Sequence, residues 1–434
     1  MKKRIAAIFF VFICFFNFSF SISYAAAPGI SAGAAILMDA ETGEVLYSRN
    51  ADKVLYPASI TKVMTALLAA EKGNLDDVVT MSFEAVFSIE RGSSHIALDV
   101  DEEITLEQAL NGLLLMSAND AANGIAEYIG GSIEGFAEIM TSKAKELGAM
   151  NTNFVNPHGL YDENHYTTAY DMALIAREAL KYNTFRNIIS TTSFEIPPTN
   201  KQEETRYLYN QHKMLENPVH RSTYFFDGVI GGKTGYTDQS QHTLVTYAEQ
   251  DGTTLICVIM NADTQTVMYT DTVNLFNYGF NEVSKLQLNK AHQVVDTLPI
   301  YNDVDGEGKG MNKLGYVDVI ALEEFIYYGN TEMSEEDVIK KLSFGDPLLS
   351  PVYKDEPIGD LQYIYQGTVI GSVPLVAGQT YEKVDTSLIS TLQQDISVTP
   401  DNGYVDIIYL GVIIIALFFA LILLWRIIRH VRRG

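Results

Sequence analysis

Strand-forming and helix-forming stretches are unevenly placed along this 434-residue chain, and their order limits the fold it can adopt. "AAILMDAETGEVLYSRN" (34–50) reads as a hairpin, two short apolar strands about a Glu-Thr-Gly turn. Helical periodicity then dominates to about Tyr182, through "YPASITKVMTALLAAEKG" (56–73), "LEQALNGLLLMSANDAANGIAEYIG", "IEGFAEIMTSKAKELGA" and "TAYDMALIAREALKY". Strand patterns return from Phe194, in "GVIGGKTGYT" and in "HTLVTYAEQDGTTLICVIMNA" with its Asp251-Gly252 turn. A last helix, "TQTVMYTDTVNLFNYGFNEV", ends near Val283. Strands from both ends of this region are expected to share one sheet packed on the helical middle, an α+β arrangement. From 284 to 400 short alternating runs between Gly, Pro and Asp turns predict a small β-rich domain. "SEEDVIKKL" is its one helix candidate.

The termini have a different character. Lys2, Lys3 and Arg4 precede an apolar run from Ile5 to Phe16, and Ser23-Tyr24-Ala25 offers small residues for cleavage, so 1–25 reads as a secretory signal peptide. "IIYLGVIIIALFFALILLW" (407–425) is an uncharged run of 19 residues. As a helix it would reach roughly 28 Å, which matches a hydrocarbon core of about 30 Å. Arg426, Arg429, Arg432 and Arg433 follow at once. The expected division is therefore a signal peptide (1–25), a first domain (26–283), a β-rich domain (284–400), one transmembrane helix within 401–425 and a basic tail (426–434) on the cytoplasmic side. Nearly the whole mature chain would then face outward from the cell membrane.

The net charge is −24, and seven of the 30 basic residues lie in those two terminal segments, so the part between is more acidic still. Such a surface argues against nucleic acid and against close contact with anionic lipid. Of two cysteines, Cys14 falls in the signal peptide and Cys257 in the apolar run "TLICVIM". One thiol permits no internal disulfide, and the fold must rest on its core. No HExxH, no Cys/His cluster and no Gly-rich phosphate loop suggests a metal or cofactor.

One segment is out of place in its own helix. Ser59 and Lys62 stand three residues apart in a run otherwise rich in Ala, Leu, Val and Met. That spacing puts them side by side on one helical surface, where lysine rarely occurs unless it snorkels to water or does chemistry. Two further short elements accompany the pair: Ser117-Ala118-Asn119 between helical runs, and Lys233-Thr234-Gly235 at a Gly-rich strand entry. Singly each is weak, since S-x-x-K arises by chance about once in a few hundred residues. Ser142 and Lys145 also fit S-x-x-K, and Ser48-Arg49-Asn50 fits S-x-N. Ser142 is expected inside a surface helix and Ser48 in a strand, neither beside a cleft. Order, spacing and context set the first group apart.

The likeness extends beyond the motifs. "YPASITKVMTALLA", "LLLMSANDAAN", "NFVNPHGL", "HYTTAYDMALIAREAL", "GGKTGYT" and "DTVNLFNYGFNEV" resemble the low-molecular-mass penicillin-binding proteins, the serine-type D-Ala-D-Ala carboxypeptidases. "PIGDLQYIYQGTVIGSVPLVA" is similar to that family's C-terminal β-domain. The resemblance implies a β-lactamase/transpeptidase-like sheet on a helical cluster. It also implies removal of the terminal D-alanine from peptidoglycan stem pentapeptides, with β-lactams as covalent inhibitors.

The residue types suit that chemistry. A serine hydroxyl needs an adjacent base, and none of the eight histidines lies in a motif fitted to the task. His158, in "NPHGL", reads as a turn or packing residue. Lys62 can serve if its amine is neutral, which burial, the helix N-terminus and a nearby Lys233 would favour. Ser117 and Asn119 can relay the proton and hold the substrate amide. Lys233 and Thr234 suit a terminal carboxylate, and Gly235 lets the strand approach. The resemblance further implies an oxyanion hole from the backbone N–H groups of Ser59 and Tyr236.

Some positions depart from the family. Met116 stands where many members have proline, and Gln211 in "LYNQHKML" stands where an arginine would meet the substrate carboxylate, with Lys213 as a further candidate. The usual Gly-Cys pair is absent near Gln241 and His242. Two other readings stay open. A β-lactamase would share the three motifs but needs a carboxylate base for deacylation, and no Glu-x-x-x-Asn element follows Asn119. An inactive peptidoglycan-binding homologue would usually have lost Ser59, Lys62 or Lys233, and all three are present.

Overall fold

The computed structural model describes residues 28–215, 222–303 and 311–382. The expected signal peptide (1–25), transmembrane segment and basic tail lie outside the described residues. Among the described residues no helix is long and apolar enough to cross a membrane. The described residues form two compact units, one of those up to Leu288 together with Ile326–Ile339, the other of those in Asn289–Phe325 and in 340–382.

The first unit begins with strands β1 (Ala34–Asp39) and β2 (Val45–Arg49), the expected hairpin. A 3₁₀ turn (Ala58–Thr61) leads into α1 (Lys62–Lys72). Then come β3 (Val78–Thr80), α2 (Phe83–Phe87), β4 (Glu103–Thr105), α3 (Leu106–Leu115), α4 (Asn119–Gly130) and α5 (Ile133–Glu146). After a long loop follow α6 (Ala169–Leu180), α7 (Asn183–Ser190) and the small ribbon β5 (Ser193–Ile196) and β6 (Arg206–Tyr209). Three long strands, β7 (Val229–Thr237), β8 (Gln241–Gln250) and β9 (Thr253–Ala262), precede α8 (Gln265–Asn281).

The main sheet runs β2-β1-β9-β8-β7, every neighbouring pair antiparallel. β1 thus pairs with a strand from the far end of the unit, as the two separated blocks of strand sequence predict. The alternation usual in a half-exposed sheet is missing from β1, all six of whose residues are buried. The cause is a layer on each face. Ile36, Met38, Val245, Tyr247, Ile256, Val258 and Met260 pack on the helical cluster. Leu37, Leu244, Leu255, Cys257 and Ile259 pack on Met268, Leu275 and Phe276 of α8.

The second unit contains a six-stranded sheet. Its strands are β11 (Gln293–Asp303), β12 (Met311–Ala321), β14 (Val338–Phe344), β15 (Leu348–Leu349), β16 (Pro357–Tyr365) and β17 (Thr368–Ala377). Their order is β14-β16-β17-β12-β11-β15. Two further strands, β10 (Val283–Asn289) and β13 (Phe325–Asn330), form a separate ribbon. The helix expected at "SEEDVIKKL" does not form. A Ser334–Asp337 capping box closes a single 3₁₀ turn (Glu335–Asp337), and the chain then extends as β14. Val338 is buried while Ile339, Lys340 and Lys341 are exposed, and the strand pairs with β16 as an outer strand of the sheet.

Close packing of α8 on the sheet depends on Gly279. A Cβ there would lie 2.6 Å from Leu255 Cδ1 and 2.7 Å from Leu37 Cδ2, both fully buried. Gly279→Val is expected to lower stability by about 1–3 kcal/mol, read as a fall in the urea midpoint. An unchanged midpoint would show that the two leucines yield without cost.

Candidate active site

The chain from Tyr56 to Thr61 makes a tight turn before it becomes a helix. Ala58 sits at φ 51°, and the 3₁₀ turn carries Ser59, so Lys62 and not Ser59 opens the α-helix. The expected neighbourhood nevertheless forms, with Lys62 Nζ 3.0 Å from Ser59 Oγ. Lys62 is fully buried and has two other partners, Asn119 Oδ1 and the His158 carbonyl oxygen, each at 2.7 Å. Both of these oxygens can only accept. A neutral amine has two N–H bonds and one lone pair. With both N–H bonds taken, the lone pair is left for the Ser59 hydroxyl, which is the arrangement a general base requires. Burial drives the Lys62 pKa well below that of a free lysine, the charge of Lys233 adds to the effect, and Asp120 opposes it.

A second wall comes from the junction of α3 and α4. Ser117 adopts φ 61°, between the last turn of one helix and the first residue of the next. Asn119 begins α4 and reaches Lys62. Its neighbour Asp120 is buried and accepts from the N–H groups of Ile96 (3.2 Å), Leu98 (3.1 Å) and Ala121 (2.9 Å). Together with the bond from Asn119 N to the Ser94 carbonyl, 2.8 Å, this holds the 90–98 segment beside the site. Asp120 was not singled out from sequence, where nothing distinguishes it from other helix-start acids.

The third wall is β7, an outer strand of the sheet. Lys233 is buried, and its ammonium donates to the Thr234 carbonyl at 2.7 Å. Burial lowers its pKa to about 7. His212 lies close, bonded to Thr246 Oγ1 at 3.0 Å, and its burial, with the charge of Lys233, brings its pKa to about 3. Gly235 passes so near the serine turn that a Cβ would fall 2.8 Å from Ser59 N and 2.4 Å from Thr243 Oγ1. Thr243 in turn donates to the Pro57 carbonyl at 2.8 Å. The strand and the turn are thereby fastened together.

These walls enclose a groove of about 790 Å³. Ser59, Ser117, Asn119, Thr234, Gly235 and Tyr236 are among the residues that line it, and so are Gln211 and His242. The three motifs therefore converge. Lys213 does not line the groove itself: it borders an adjoining hollow, and its Nζ donates at 2.5 Å to Oε1 of Gln265, which does line the groove. The main-chain oxygen of His158 is part of the site although its ring is not a base. Burial holds that imidazole well below its ordinary pKa. The competing motifs stay apart. Ser48 is exposed on β2, and Ser142 is exposed on α5, where, contrary to expectation, it does border a surface hollow with Glu71, Glu138 and Glu146.

Residues 22–264 match the family model described as D-alanyl-D-alanine carboxypeptidase. The chain belongs to this family. Residues 287–383 match the model of the penicillin-binding protein 5 C-terminal domain. Among curated relatives, the D-alanyl-D-alanine carboxypeptidase DacF of Bacillus subtilis is 32% identical over 357 residues, 81% of this chain and 86% of that one. The DacA enzyme of Haemophilus influenzae is 29% identical over 358 residues, 80% of this chain and 84% of that one. Among solved structures, penicillin-binding protein 5 of Haemophilus influenzae superposes with a TM-score of 0.68 at 27% identity, covering 82% of this chain and 99% of that one. A variant of the Streptomyces K15 DD-transpeptidase covers 58% of this chain and 99% of its own, with a TM-score of 0.54 at 29% identity. This carboxypeptidase thus has D-Ala-D-Ala carboxypeptidase activity in peptidoglycan metabolism, and the penicillin-binding/transpeptidase-like fold carries a β-rich C-terminal domain.

Gly235→Ala would force β7 away from the serine turn. Acylation by benzylpenicillin is expected to slow by about 100-fold, the effect of an ångström-scale misplacement. Stopped-flow or fluorescent-penicillin kinetics would measure it, and a wild-type rate would mean that the strand adjusts without moving Ser59.

Proposed function

We propose that Ser59 is the nucleophile and Lys62 its general base in the removal of the terminal D-alanine from stem pentapeptides. The observation that carries this reading is the pair of acceptor-only contacts on the Lys62 amine, which leaves its lone pair to Ser59. In acylation Ser59 Oγ attacks the carbonyl carbon of the penultimate D-alanine while its proton passes to Lys62. The C–N bond then breaks, and the leaving amine takes a proton relayed through Ser117, which lines the groove. Water attacks the ester in the second half, the amine again accepting the proton. Asn119 holds the substrate amide. The backbone N–H groups of Ser59 and Tyr236 stabilise the oxyanion, with the close passage of Gly235 along the serine turn supporting that pairing. β-Lactams acylate the same serine.

Ser59→Ala is expected to abolish both D-alanine release from diacetyl-Lys-D-Ala-D-Ala and labelling by fluorescent penicillin. Ser142→Ala should leave both intact. Release of D-alanine by the Ser59 variant would sink the assignment.

Lys233 and Thr234 receive the substrate carboxylate in this reading. With a pKa near 7, Lys233 is a cation below that pH and loses its charge above it. Lys62 must be neutral, a state that its lowered pKa favours. The profile of kcat/KM for the peptide should therefore fall on its alkaline side with a midpoint near 7 in the free enzyme. Lys233→Arg, which keeps its charge, should flatten that limb even if activity drops overall. An alkaline limb unmoved by the substitution would assign it to another group.

We also infer that the enzyme works on the outer side of the cell membrane. The signal-like start, the uncharged run 407–425 and the arginines that follow support export and a single C-terminal span with its basic end inside. Membrane fractionation of the full chain against one ending at 400 tests this, and a truncated enzyme that stays with the membrane would contradict it.

A further inference from the structure

The mechanism above needs Lys62 to be aimed, and one of its two aiming contacts comes from a main-chain oxygen in an irregular loop. What keeps that oxygen in place is the side chain of Asn156. Its Oδ1 accepts from Gly159 N at 2.7 Å and from His158 N at 3.3 Å, and its Nδ2 donates to the Leu160 carbonyl at 3.0 Å. A single carboxamide thus closes the turn 156–160 on both its donor and acceptor sides.

The turn delivers two consecutive carbonyls to α1. Pro157 O accepts from Thr65 Oγ1 at 2.6 Å, and His158 O accepts from Lys62 Nζ at 2.7 Å. Thr65 and Lys62 are one helical turn apart, so the loop lies along the helix face that carries the base. Gly159 is wedged beneath the nucleophile's turn at φ 86°, where a Cβ would come 1.8 Å from the Ala58 carbonyl oxygen. His165 ties the same loop at its start. Its Nδ1 accepts from Val155 N at 3.2 Å, so its neutral ring donates from Nε2 to Thr61 Oγ1 at 2.9 Å.

We propose that Asn156 is a positioning residue for acylation: by folding the 156–160 turn it holds the His158 carbonyl on Lys62 and so points the amine's lone pair at Ser59. The inference rests on the base role given to Lys62. Without the carboxamide, the carbonyl is free to swing toward water, and the amine can spend an N–H on Ser59 instead of its lone pair. Asn156 does not itself line the groove; the turn it closes reaches the groove only at its end, through Leu160.

The test uses the full chain and benzylpenicillin, separating the dissociation constant of the noncovalent complex from the first-order acylation rate. Active sites are counted by fluorescent-penicillin titration, and thermal stability is followed in parallel. Asn156→Ala should reduce the acylation rate per titrated site by 30-fold or more while the dissociation constant stays within twofold. Asn156→Asp, which retains the acceptor for both N–H groups, should recover most of that loss. If the alanine variant does not fold, Asn156→Thr takes its place, with one acceptor kept and an intermediate rate expected. A loss of stability with wild-type acylation per site would overturn the inference and leave Asn156 a structural residue. Lys62→Met run alongside separates the two claims. If it acylates at the wild-type rate the base role itself fails, whereas a dead Lys62→Met beside a normal Asn156→Ala removes only the present inference.

Discussion

A lysine amine shut away from water, with no carboxylate in contact, is the constraint around which the first unit is organised. An isolated buried ammonium is costly, and the cheaper state is the neutral amine. Neutrality alone would not make it a base toward Ser59. Two acceptor-only oxygens, one from the start of α4 and one from the 156–160 turn, take up its N–H bonds at 2.7 Å. Three segments far apart in sequence must therefore agree in position to within a few tenths of an ångström. The double-sided packing of the five-stranded sheet and the dense helical core beneath α1 supply that agreement.

The second lysine follows the same logic with a different outcome. Lys233 is also buried, but burial brings it only to about 7, close to where a carboxylate ligand would restore its proton. In the proposed mechanism, two lysines of one chain are thus set to opposite duties by their neighbours. The positive charge of one helps keep the other neutral, and Asp120, anchored by backbone N–H groups of the 96–98 segment, limits how far that goes.

Much of this could be read before any coordinates. The two separated blocks of strand sequence predict that β1 meets β9, and the serine, lysine and asparagine of the motifs are side chains whose types announce chemistry. What escaped reading was of another kind. The His158 oxygen belongs to the main chain, and no residue identity marks a carbonyl as functional. Asp120 and Asn156 act through backbone N–H groups that only folding brings to them. Ser59 sits in a 3₁₀ turn because Gly159 and Gly235 press on it from two sides, contacts invisible in the local pattern. At "SEEDVIKKL" charged residues of good helix propensity point to a helix, and pairing with β16, a contact with a distant strand, draws the chain out instead.

The position of β7 at the margin of the main sheet has a consequence for how this enzyme meets its substrate. A terminal strand exposes a row of main-chain donors and acceptors, an invitation to unwanted pairing between molecules. Here the serine turn and α7 lean against that strand, and the Thr234–Tyr236 stretch opens into the groove. On the proposed function, a short extended peptide lying there would meet the main-chain groups of β7 as a neighbouring strand does. The same packing that covers most of the strand leaves the Thr234–Tyr236 stretch open to a slender extended ligand.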